Sequence, residues 1–189
     1  MKPLLKTISI GEFSMPLHAD IMSDGNVDRN KKRAAAYATY LREISEYLPA
    51  ETRKFALREW YYRDPDKCPH DAWVESFEIF ETFSGERKER RDIGIRIRLL
   101  AASHRGHIHF TYKNVFGYGL NFSPTVRVWD GKLVLPKHED WLADEISLNS
   151  HGHVVHEIHF SSGCIWKIET ESVSYSFGPI KEDQHSISR

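Results

Sequence analysis

A length of 189 residues suits one well-packed domain and leaves too little chain for two ordinary ones. Forty per cent apolar and 28% charged residues, with a mean hydropathy of -0.52, describe a soluble globular chain in which no apolar run reaches the ~18–20 residues that cross a bilayer. The balance of 26 basic and 27 acidic residues, net -1, argues against a dedicated nucleic-acid binder. Met1-Lys2-Pro3-Leu4-Leu5-Lys6 has no apolar stretch of secretory length. Cys68 and Cys164 are too few for a disulfide scaffold or an all-cysteine zinc site, so a reducing cytoplasm is the expected setting.

The first 27 residues show no period, and Met15-Pro16 and Ser23-Asp24-Gly25-Asn26 read as turns. Asp28 is placed to cap a helix over 28–48, because Ala34, Tyr37, Leu41, Ile44 and Leu48 fall on one stripe at helical spacing. Pro49 ends it and suits the first turn of a second helix over 50–62, with Phe55, Leu57, Trp60 and Tyr61 as candidate core residues. Past Pro65 and Pro69 the period becomes two. Residues 73–83 read as a strand with a parity break, since Phe77, Ile79 and Phe80 cannot share a side; a bulge is expected. Ile93, Ile95, Ile97 and Leu99 alternate with polar residues, as do Ile108, Phe110 and Tyr112, with a turn at 103–106 between the two strands. Asp130-Gly131 marks a tight hairpin within 125–135. A second hairpin joins 142–148 to 154–160 through Asn149-Ser150-His151-Gly152. Strands over 164–169 and 173–177 finish the sheet, and 181–189 reads as a frayed tail. Short turns without intervening helices predict an α+β single domain over 1–189. Its helical pair at 28–62 packs on one face of an antiparallel, meander-like sheet of about six to eight strands at 72–178.

Histidine is the outlier, with eight of 11 copies between His104 and His159. His107 and His109 share a strand face, as do His153, Glu157 and His159, and imidazoles two apart can reach one cation. His107, His109, His153 and His159 are therefore the candidate metal ligands, against a reading in which they are ordinary outward-facing strand residues and no metal or other cofactor is held. Residues 106–111 and 156–161 are locally alike, and both carry His-x-[Thr/Ser]: His109 with Thr111, His159 with Ser161. That pairing resembles the motif of two-histidine phosphoesterases, which implies histidine as general acid or base and a hydroxyl on phosphate. Those enzymes alternate helices with strands, and none intervenes here. Asp144 and His156 fall in phase with apolar residues on partner strands, which predicts a buried structural polar pair. Ser161-Ser162-Gly163-Cys164 lacks the flanks of a nucleophile elbow. Cys68 and His70-Asp71 are too sparse for zinc, and Asp71 reads as a turn anchor.

Charge is also divided. From Glu139 onward nine acids face three bases, a balance of -6, leaving +5 on the preceding residues. Such polarity orients a partner on encounter. Arg29, Lys31, Lys32 and Arg33, with Arg87, Lys88, Arg90 and Arg91, form basic clusters, but Glu86, Glu89 and Asp92 interrupt the second. Nucleic acid is not the expected partner.

Cys68-Pro69-His70-Asp71-Ala72-Trp73-Val74-Glu75-Ser76, then Ile108-x-Phe110-x-Tyr112-x-x-Val115, Trp141-Leu142-x-Asp144-Glu145 and His156-Glu157-Ile158-x-Phe160-Ser161-x-Gly163, resemble a loose group of uncharacterised bacterial α+β proteins. Some of these are labelled immunity proteins of polymorphic toxin systems. The resemblance covers about 64–169 and implies a non-catalytic binder that neutralises a toxin by surface contact; it identifies no catalytic residue. The expectation is thus a cytoplasmic protein-binding module whose partner is another protein. A second copy pairing at an open sheet edge is an alternative. The rival reading is a histidine-dependent phosphoesterase or metal-dependent hydrolase.

Overall fold

The computed structural model describes residues 27–58, 64–122, 127–129, 132–134 and 137–180. The turns expected before residue 27, the aromatic run Trp60, Tyr61 and Tyr62, and the tail at 181–189 lie outside these. Helix α1 spans Val27–Ile44 and passes through a 3-10 turn, Ser45–Tyr47, into α2, Ala50–Ala56. The buried stripe is Leu41, Ile44 and Leu48, while Tyr37 is half-buried and Ala34 exposed, so the apolar face of α1 starts a turn later than its sequence suggests. Pro49 lacks an N–H and sits at the N-cap of α2, whose Phe55 is 2% exposed.

Among the described residues eight strands follow: β1 Trp73–Ser84, β2 Arg90–Leu100, β3 Gly106–Asn121, β4 Arg127–Trp129, β5 Lys132–Val134, β6 Trp141–Leu148, β7 Val154–Phe160 and β8 Ile165–Pro179. Six form one antiparallel sheet in the order β1-β2-β3-β8-β7-β6, and β4 and β5 pair antiparallel as a separate two-stranded sheet, the Asp130-Gly131 turn expected between them lying outside the described residues. The molecule is thus α+β. It is two three-strand meanders rather than one, because β8 inserts between β3 and β7. The strands expected at 164–169 and 173–177 are a single strand. Glu171-Ser172 makes no reversal because β3 runs on past Tyr112 to Asn121 and pairs with β8 along its length.

This long pair is bent. Asn114 adopts a positive φ of 50°, and the β3–β8 register slips between Val115 and Gly117. Val173 and Thr170 are both buried although three residues apart, so β8 changes its inward parity at the same level. Bulges at such a bend let one strand serve two differently oriented half-sheets. The fold-over is read in the rings: Phe110 on β3 stacks on Trp141 of β6 at 5.3 Å, and Phe77 on β1 meets Trp166 of β8 at 4.9 Å. In a flat sheet β3 and β6 would stand three spacings of about 4.8 Å apart. The outer strands β1 and β6 also touch: Trp73 bridges Asp140, and Trp141 exchanges backbone hydrogen bonds with Asp71 and Ala72 at 2.9 and 3.0 Å. The sheet is therefore curled nearly shut. Ile95, Ile97, Leu99, Ile108, Phe110, Tyr112, Ile158 and Ile168 lie inside with no exposure, in one cluster with Leu41, Ile44, Leu48 and Phe55 of the helical segment.

β1 has a bulge between Val74 and Ser76 but none at 77–80, where the parity break led one to be expected and where the register with β2 is unbroken. Beyond it Phe77 faces the core, while Phe80 lies over Gly94 on the other side, where a Cβ would meet its Cζ at 2.5 Å. Arg96 places its guanidinium 4.2 Å from the Phe80 ring centroid.

Candidate functional site

The helical segment satisfies strand groups that no other described strand reaches. The Tyr37 hydroxyl accepts from Ile146 N–H at 2.6 Å and donates to Ile146 C=O at 3.2 Å, and the Tyr40 hydroxyl accepts from Leu148 N–H at 3.1 Å. Both hydroxyls therefore cap the outer edge of β6. On β8, beyond the end of β7, the fully buried Thr52 hydroxyl accepts from Val173 N–H at 3.0 Å and donates to Val173 C=O at 3.2 Å. Burial drives the Tyr37 hydroxyl pKa upward, so it stays protonated and able to donate.

Beneath these caps lies a buried polar chain. The structure brings Asp144 and His156 together, with His156 Nε2 at 3.2 Å from Asp144 Oδ2 and both side chains fully buried. Tyr112 Oη lies 2.8 Å from His156 Nδ1. Arg58 Nη2 donates to Asp144 Oδ2 at 2.7 Å, and Trp141 Nε1 to Oδ1 at 3.2 Å. Desolvation pushes the Tyr112 pKa well up and the His156 pKa down, in the latter against the pull of Asp144. A protonated phenol beside a neutral imidazole fixes the roles: Tyr112 O–H donates to Nδ1, and Nε2–H donates to the carboxylate. Asp144 then accepts from His156, Arg58 and Trp141. The composition is that of a catalytic relay, but its members are sealed from solvent, and Arg58 is itself capped over the Phe55 ring at 3.9 Å. Its chemistry is to hold β6, β7, β3 and the α2 end in register. Asp144 and His156 are visible in the strand periodicity. Tyr112 and Trp141 read only as core aromatics, and Arg58, beyond the C-cap of α2, has no motif to mark it.

The other candidate histidines do not converge. His109 is level with Ser176 on β8 and His159 with Ile165, eleven residues or roughly 36 Å of strand away at about 3.3 Å per residue. Thr111 lies on β3 opposite Ser174, but Ser161 lies in the turn after β7, where its Oγ accepts from Asp140 N–H at 3.0 Å. The two His-x-hydroxyl segments therefore form no shared pocket. His107 and His109 are neighbours, with ring centroids 6.3 Å apart, and His107 Nε2 sits 3.2 Å from Glu75, which also takes Arg98 Nε at 3.0 Å. The exposed His109 ring has its pKa lowered by partial burial first and then by His107 and Arg98. His153 pairs with Glu169 at 2.6 Å and stacks on Phe116 at 3.8 Å, whereas His159 pairs with Glu157 at 2.9 Å. These pairings hold the Glu169 and Glu157 carboxyl pKa values down. His159 is only 4% exposed, so the back of β7 is not the open polar face its alternation suggests. Among the described residues no three His, Cys, Asp or Glu side chains gather as a metal site would require. Cys68 is buried, and desolvation raises its thiol pKa to about 11, which makes it inert as a nucleophile at neutral pH.

Several large apolar side chains are presented to solvent. Past the level of Ile95 and Tyr112, where β2 and β3 cease to pair, the β1–β2 hairpin runs on alone. It exposes Ile79 at 45%, Phe83 at 52% and Ile93 at 38%, and Phe116 and Tyr118 on β3 are exposed by 53% and 48%. Ile79, Phe83 and Ile93 follow the inward parity of Phe77 and Ile95, so they continue the core stripe into water. Glu81 and Arg91 share that face, level with Ile93 and Phe83, with their charged groups 3.9 Å apart and the Arg91 guanidinium 5.5 Å from the Phe83 ring centroid. The hairpin's outer edge is left unpaired past Trp73 by every other described strand.

Comparison with protein-family models, with curated proteins and with solved structures returned no match for this chain. Among the described residues no helix is long and apolar enough to cross a membrane.

Proposed function

We propose that the chain is a non-catalytic protein-binding module of the immunity type, neutralising a toxin by surface contact in the cytoplasm. The observation that carries this reading is the core stripe continued into solvent by Ile79, Phe83 and Ile93. Exposed large apolar side chains, with a Glu81–Arg91 pair among them, on a hairpin that lacks a covering layer suit a protein interface. In this reading the two helices cover one face of the sheet and cap its edges, which leaves the β1–β2 arm for the partner. If the partner is basic, the acidic residues from Glu139 onward supply the surface that steers it.

The test is to look for a toxin gene beside this one and to co-express its product with the chain. Survival of the host and a stable one-to-one complex are expected, with Phe83→Glu weakening the complex by about a hundredfold, as loss of an aromatic anchor does. Absence of a neighbouring toxin, or full protection by the Phe83→Glu and Ile79→Glu variants, refutes the reading.

A further inference from the structure

The edges of the sheet are treated unequally. Tyr37 and Tyr40 cap the outer edge of β6, and Thr52 caps β8 beyond the end of β7. β1 has no such cap among the described residues. Past the bridge from Trp73 to Asp140 its outer edge faces no other described strand, and over 76–84 its register with β2 is unbroken. Every second residue of a strand turns its N–H and C=O to the same side, so this edge offers a row of backbone groups to an added strand. Edge strands commonly discourage such pairing with proline, lysine or short length. β1 is 12 residues long and contains neither proline nor lysine.

What it carries is charge of one sign. β1 has three acids, Glu75, Glu78 and Glu81, and no base, whereas β2 has four bases and one acid. The signs already alternate across the pair: Arg98 lies 3.0 Å from Glu75, Arg91 3.9 Å from Glu81 and Arg96 4.0 Å from Glu78. The two longer contacts involve guanidiniums that also lie over rings, Arg91 over Phe83 and Arg96 over Phe80. Glu78 and Glu81 keep side chains 60% and 53% exposed. A strand laid beside β1 meets these carboxylates as cross-strand neighbours, where opposite charges attract and like charges repel. A second copy pairing β1 with β1 would set three acids against three. Glu81 sharpens the choice, because it shares the inner face with Phe83 and Ile93 and an apolar strand would bury it there without a further cation. A strand bearing arginine or lysine extends the alternation by one step.

We infer that the open edge of β1 is a docking site for an extended basic segment of the partner, which adds to the six-stranded sheet beyond β1 with its cationic side chains against Glu78 and Glu81. The inference rests on the reading of the β1–β2 arm as the partner's surface, and it names the element that the partner brings.

The probe is the peptide acetyl-Thr-Arg-Thr-Arg-Thr-Arg-Thr-Arg-amide, titrated into the full chain while amide exchange in β1 is followed by NMR. Alternate amides over 76–84 should exchange fast in the free chain and about tenfold more slowly in the complex, which charge attraction without strand pairing does not produce. The same peptide with glutamate for arginine should bind about tenfold more weakly. Replacing both exposed acids, by Glu78→Gln and Glu81→Gln together, should lower the affinity for the arginine peptide about fivefold. Failure of the arginine peptide to bind, or binding without slowed exchange in β1, overturns the site. Equal binding of the two peptides overturns the charge assignment. Slow exchange of all β1 amides in the free chain also overturns the site: the edge is then already covered, by a second copy where the protein sediments as a dimer and by another part of this chain where it sediments as a monomer. The peptide needs no toxin, so a chain that binds it but guards against no toxin keeps the strand site and loses the immunity reading. A toxin complex in which the alternate β1 amides stay unprotected keeps the immunity reading and overturns the strand site.

Discussion

His156 shows how one residue's surroundings become a property of the whole fold. Its imidazole is buried without exposure between Tyr112 and Asp144, and desolvation lowers its pKa below that of the unfolded chain, where histidine titrates near 6.5. A depressed histidine pKa means that the unfolded chain binds the proton first as pH falls. The native state is therefore favoured in full above about pH 6.5 and loses that contribution below it, by at most about 1.4 kcal/mol per pH unit. His156→Gln removes the titration and leaves Tyr112 and Asp144 imperfectly paired. Urea unfolding should show the variant about 2–3 kcal/mol less stable at pH 7.5, with the gap to the parent narrowing by pH 5. A constant gap across that range would mean that His156 is not held neutral.

At the scale of elements, the helices act through three hydroxyls as much as through apolar burial. A strand edge with unpaired N–H and C=O groups invites pairing with another chain, and Tyr37 and Tyr40 close that route on β6. Replacing both by Phe keeps the rings, which stack at 6.4 Å, and removes only the caps. Amide exchange at Ile146 and Leu148 should then accelerate at least tenfold while that at Ile108 and Phe110, within the sheet, stays slow. Stability should drop by about 1–3 kcal/mol for each edge group left buried and unpaired. Unchanged exchange at Ile146 would refute the cap. These contacts explain which parts of the fold are legible in the sequence. Alternation in Ile93 to Leu99 and in Ile108 to Tyr112 marks β2 and β3, and the Asn149 to Gly152 turn marks the β6–β7 hairpin, because these features are local. The continuity of β8 through Glu171-Ser172 is set by pairing with β3 across more than 50 residues, and no local period carries it. The same limit applies to the site: Asp144 and His156 declare themselves by phase, whereas Arg58, Tyr112 and Trp141 reach them only through tertiary contact.

Over the whole molecule, the bend in β3 and β8 decides how many cooperative units exist. Each half-sheet alone has one apolar face, and the fold-over presses those faces together: Phe110 on Trp141, Phe77 on Trp166, and β1 bridged to β6 at Trp73 and Asp140. Neither half then has a core of its own to survive the loss of the other. Ile97 on β2 and Ile158 on β7 lie in opposite halves, and both are fully buried. Ile97→Ala and Ile158→Ala each leave a cavity costing about 2–5 kcal/mol. If the halves are one unit, either change lowers the midpoints followed by tryptophan fluorescence and by far-UV circular dichroism together. With Trp60, Trp73 and Trp129 replaced by Phe, Trp141 and Trp166 alone report, on β6 and β8, whereas dichroism averages over all strands, so the probes separate if one half melts first. A two-step transition in the Ile97→Ala protein, with the fluorescence midpoint left at its parent value, would show that β6, β7 and β8 hold together without β1 and β2.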